Sequence, residues 1–93
     1  MTILGSSSSS SHDPAALALN ALGWVLVDDD RAARFLALTG LTPDHLRASL
    51  GEPGTLTAVL DFLCAHEADL VSAADFLGVG PEELAGARER LSR

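Results

Sequence analysis

The sequence predicts an all-α domain, a compact bundle of five to six short helices joined by helix-turn-helix-like corners. Three observations carry that expectation. Apolar residues recur at helical spacing, β-branched residues are sparse, and proline, glycine and aspartate fall where helices start and stop. No stretch alternates apolar and polar residues for the length of a strand.

Residues 1–12 hold the serine run Ser6 to Ser11, which offers nothing to bury against the entropy of ordering. They are read as a disordered tail, native linker and artificial leader being indistinguishable, ahead of a single helical domain over 13–93. Asp13 is an N-cap and Pro14 suits the first helical position, so a first helix should run from Pro14 to about Leu26. Asp28, Asp29 and Asp30 cap a second helix that continues to Thr39 and stops at Gly40. Thr42 and Pro43 open a short third helix closing at Leu50.

A turn at Glu52-Pro53-Gly54 should then precede the fourth helix, whose Leu56, Val59, Leu60 and Leu63 form one apolar stripe. A bend at His66 to Asp69 precedes a fifth, which carries Leu70, Val71, Ala74 and Leu77 and is ended by Gly78. Pro81 opens the last, with Leu84, Ala87 and Leu91 on one face. Gly40-Leu41-Thr42-Pro43 and Gly78-Val79-Gly80-Pro81 read as one corner used twice.

Composition limits the function classes. Thirteen acidic residues against six arginines and no lysine give a net charge of −7, which repels a polyanion and argues against nucleic-acid binding. The single Cys64 cannot close an internal disulfide, and no cationic, apolar leader pattern is present, so the expected compartment is the cytoplasm. The apolar run from Ala15 to Val27 falls short of the ~20 residues of a membrane span, so no membrane role is expected.

Candidate sites are few. Ala74, Gly78 and Leu84 have the spacing of a DNA-reading helix-turn-helix, yet Pro81-Glu82-Glu83 would set two carboxylates where phosphates must be met. The three aspartates lack the glycine and distal glutamate of a calcium loop. Cys64 and His66 point to different helix faces and have no second pair to complete a zinc shell; Cys64 reads as core, His12 and His45 as exposed. No metal, cofactor, catalytic residue or small-molecule substrate is evident. Trp24 with Phe35, Phe62 and Phe76 reads as core, Trp24 alternatively as an interface anchor. Arg31 and Arg34 are expected to pair with Asp28 or Asp30 on their own helix, and are the best candidates for anion contact.

The runs Ala21-Leu22-Gly23-Trp24, Asp30 to Leu41 and Val59 to Leu63 through His66-Glu67 together resemble a small alphaproteobacterial family catalogued as domain of unknown function 3572. The resemblance spans about Pro14 to Leu91 and implies a bacterial, intracellular, compact helical protein. It carries over no catalytic residues.

An apolar-rich helical domain without converging polar groups suits docking better than bond chemistry, so the expected function is a non-enzymatic protein–protein interaction module, with a protein partner or self-association. The alternative is a helix-turn-helix-like regulator acting with a basic partner. The first helix is apolar nearly all round, with Asn20 its one polar side chain, so it is either the central element or a dimer seam. Leu19, Leu22, Trp24, Leu26, Arg31 and Arg34 form the expected interaction surface.

Overall fold

A computed structural model describes residues 13–92, so the expected tail over 1–12 lies outside the described residues. Six helices follow one another: α1 (Pro14–Val27), α2 (Asp29–Thr39), α3 (Pro43–Ala48), α4 (Pro53–Cys64), α5 (Glu67–Leu77) and α6 (Pro81–Leu91). No strand occurs among the described residues.

The start signals act locally, as the sequence predicts. Asp13 Oδ2 accepts from the Ala16 amide at 3.3 Å, Asp28 Oδ2 from Arg31 at 3.0 Å, and Thr42 Oγ1 from His45 at 3.1 Å. Each satisfies an amide with no acceptor inside its helix. The repeated corner is real: Gly40 and Gly78 both adopt φ of 75°, a left-handed conformation that costs glycine nothing. Gly40 donates to Leu36 O at 2.9 Å, and after Gly78 the Val79 amide reaches back to Ala74 O at 3.0 Å. Leu41 and Val79 plug the two corners, packed against the core.

Helices α1, α4, α5 and α6 all pack on one another, while α2 lies across α1 and α4. Phe35, Leu60, Leu63, Leu84, Val25 and Val59 are fully buried at their junction. Phe35 and Phe62 meet edge to face, centroids 5.4 Å apart, which locks α2 onto α4. α3 is a short strut that contributes Leu46 to the core. In the turn after it, Ser49 Oγ donates to His45 O and accepts from Thr55 Oγ1, both at 2.9 Å, so this buried hydroxyl pair is satisfied.

Several expectations need correction. α3 ends at Ala48, not Leu50, because Ser49 turns its hydroxyl back onto the last carbonyls. Glu52-Pro53-Gly54 is no separate turn: Glu52 is the N-cap of α4, and Pro53 and Gly54 are already helical. The bend before α5 is only Ala65 and His66. α5 packs through Ala73 and Ala74, whose small side chains bring its backbone close to its neighbours and turn Val71 and Phe76 outward, Phe76 being 65% exposed. Cys64 is half-buried at the rim of the core rather than within it.

Candidate functional site

With about 100° of rotation per residue, α1 divides into two arcs. Leu17, Ala18, Ala21, Leu22, Trp24 and Val25 face the bundle. The opposite arc carries Ala16, Leu19, Asn20, Gly23, Leu26 and Val27, spaced at helical repeats along one stripe. Leu19 is 41% exposed, Leu26 42% and Val27 76%, and the space in front of Gly23 is open to beyond 4 Å from where a Cβ would stand. The stripe has no charged residue, and Asn20 is its one polar side chain. α1 is therefore the central helix of the bundle and also an open flank.

The expected surface is divided accordingly. Leu19 and Leu26 lie on the open stripe. Leu22 and Trp24, 3% and 9% exposed, belong to the core, because α2, α4, α5 and α6 cover the inner arc. Gly23 and Val27 complete the outer arc and were not singled out from the sequence, since a helix apolar on every side gives no phase from which to tell its faces apart.

Arg31 and Arg34 do not pair within their own helix. The Arg31 guanidinium lies over the Trp24 ring, its carbon 3.5 Å from the centroid, and Nη2 donates to Trp24 O. That carbonyl sits in the last turn of α1, where it has no amide to accept from, so Arg31 closes the end of the helix that precedes its own. Its Nε is buried without a hydrogen-bond partner. Arg34 crosses to α5, 3.2 Å from Asp69 Oδ2, and stands 5.3 Å from the Phe62 ring. Both cations are committed to structural partners.

A second feature is a groove of about 390 Å³ between α2 and α4, lined by Leu38, Thr39, Ala58, Asp61, Phe62 and Ala65. Its polar groups are engaged: Thr39 Oγ1 donates to Phe35 O at 2.9 Å, and Asp61 is ion-paired with Arg88. Nearby, burial pushes the Cys64 thiol above its ordinary pKa, with Asp61 adding to the rise and Arg88 opposing it. A thiol so held is protonated at neutral pH and a poor nucleophile.

A family model described as "Protein of unknown function (DUF3572)" matches residues 11–93. No curated protein and no solved structure matches the chain. No described helix is long and apolar enough to cross a membrane.

Proposed function

We propose that this chain, which belongs to the DUF3572 family of unknown function, is a non-enzymatic protein–protein interaction module that docks through the outer face of α1. The observation that carries the reading is the stripe itself: Leu19, Leu26 and Val27 exposed around Gly23, uncharged, in a chain of net charge −7. Exposed apolar surface at helical spacing is what a partner helix covers, and leaving it in water is unfavourable by roughly 25 cal/mol for each Å². Several polar groups support the same reading, because caps and ion pairs occupy them: Asp13, Asp28 and Thr42 at helix starts, Arg34 with Asp69, Arg47 with Asp44 and Arg88 with Asp61. The proposal takes the compartment to be the cytoplasm, consistent with the lone Cys64.

Affinity purification comparing the native chain with Leu26→Glu tests it, with Phe76→Ser as an exposed control elsewhere. The same bound proteins are expected with the native and Phe76→Ser chains and are lost with Leu26→Glu. Equal recovery by all three would refute docking through α1.

A further inference from the structure

We propose that the occupant of the α1 outer face is a second copy of this chain, packed antiparallel about a two-fold axis at Gly23. The inference rests on the docking reading above and names its partner. The stripe is ordered almost symmetrically about that glycine: Leu19 lies four residues before it, Leu26 and Val27 three and four after. At about 1.5 Å rise per residue, Leu19 stands about 6 Å to one side of Gly23 and Leu26 about 4.5 Å to the other, both on the same edge of the arc. A two-fold axis normal to the helix therefore sets Leu19 beside Leu26 of the second copy, twice, and Asn20 beside its Val27. This self-complementarity is what an isologous contact requires. Gly23, with no side chain and open space before it, lets the two backbones cross closely.

Charge argues for the direction of that packing. The contact face carries no charge, so the excess of carboxylates elsewhere stays in water when two copies meet. Asp28, Asp29 and Asp30 stand just past the C-terminal end of α1, whereas its N-terminal end carries one carboxylate, the N-cap Asp13. Antiparallel packing sets each cluster of three against a helix N-terminus that carries the single Asp13; parallel packing would oppose the two clusters of three. One 14-residue helix, about 21 Å long, offers less than the ~800 Å² per partner of a standard interface, so the dimer should form with concentration rather than permanently.

Sedimentation equilibrium on the purified full chain, from low micromolar to millimolar, reads the first part. A mass rising toward the dimer is expected for the native chain, with loss of that rise in Leu26→Glu and in Gly23→Leu, each checked for native helicity by circular dichroism. Both changes fall on the open arc, so the fold should survive them. Direction is read in a Cys64→Ser background: mixed Leu19→Cys and Leu26→Cys chains should oxidise to the mixed disulfide in preference to either symmetric one, since bridged Cα atoms must lie about 4.4–6.8 Å apart. Preference for symmetric disulfides overturns the antiparallel arrangement. A dimer indifferent to Leu26→Glu and Gly23→Leu places the contact elsewhere and overturns the proposal. A native chain that stays monomeric overturns it too; if Leu26→Glu nonetheless loses its co-purifying proteins, the docking reading survives with a foreign partner, and if it loses none, both readings fail.

Discussion

Arg31 lies flat across Trp24 and caps its carbonyl, so a residue in the first turn of α2 finishes the last turn of α1. Only Asp28 separates the two helices, and Asp28 Oδ2 in turn accepts from the Arg31 amide. The elbow is thus held by one residue used twice, its backbone starting a helix and its guanidinium ending another. Stacking a guanidinium on tryptophan contributes about 0.5–2 kcal/mol and a net hydrogen bond about 0.5–1.5 kcal/mol. The orphaned Nε offsets part of this. Arg31→Ala is therefore expected to cost about 1–2 kcal/mol, and Arg31→Lys nearly as much, because an ammonium has no plane to stack. Denaturant unfolding followed by the emission of Trp24 measures both; an Arg31→Lys chain as stable as the native one would show that charge alone holds the elbow.

Glycine to alanine should act with opposite sign at two positions. Gly86 is inside α6 with open space where a Cβ would go, so Gly86→Ala is expected to raise stability by about 0.5–1 kcal/mol. Gly78 holds φ of 75°, where a side chain is strained whatever the room, so Gly78→Ala should lower stability by about 1–2 kcal/mol. At about 4–8 °C per kcal/mol for a domain of this size, melting temperatures separate the two readily. A Gly78→Ala midpoint at or above the native one would mean that the corner can be rebuilt without the left-handed residue.

Cys64 should leave a mark on the alkaline limb of stability. Its thiol is raised in the fold, chiefly by burial, so the folded state holds the proton more tightly than the unfolded chain does. The resulting stabilisation is fully present below the unfolded thiol value of about 8.5 and is lost as pH rises through the folded one. Unfolding free energies of the native chain are expected to fall between neutral pH and pH values above that range, and those of Cys64→Ser to fall less. Alkylation by iodoacetamide at mildly alkaline pH should be slower in the folded chain than in urea. Equal alkylation rates would contradict the burial account.

What the sequence discloses and what it conceals divide along a physical line. Asp13-Pro14, Thr42-Pro43 and the glycines at 40 and 78 act through hydrogen bonds and backbone angles within a few residues, so the helices could be placed from them. The stripe Leu56, Val59, Leu60, Leu63 is set off by Asp61 and small residues opposite it and by Thr57 on its flank, and therefore has a readable phase; all four are buried. α1 has no such contrast, and what separates Leu22 from Leu26 is which neighbours arrive, a tertiary fact. The same holds for Arg31, whose helical spacing to the aspartates was legible while the aromatic face beyond the elbow was not. Phe76 reads as core by its type and is exposed because alanines, not rings, set the spacing of α5.

The regulator reading can be separated from docking by the electrostatics of α6. Ala74 and Leu84 are buried on either side of the left-handed Gly78, so the joint between α5 and α6 has the internal packing of a helix-turn-helix. Its outer chemistry runs the other way. Glu82 and Glu83 occupy the first turn of α6, and Glu83 Oε1 accepts from the Gly80 amide at 3.0 Å, a capping bond that fixes a carboxylate where a reading helix would approach the phosphates. α6 is also packed against α1, α4 and α5, which leaves little of it to enter a groove. No binding of the isolated chain to duplex DNA is therefore expected at physiological salt by fluorescence anisotropy, with random or genomic sequences alike. Glu82→Gln should not change that result, because removing one carboxylate from a chain of net charge −7 still leaves an acidic surface. Submicromolar binding that weakens steeply with salt would instead favour the regulator, and loss of that binding in Leu26→Glu would tie it to the α1 face.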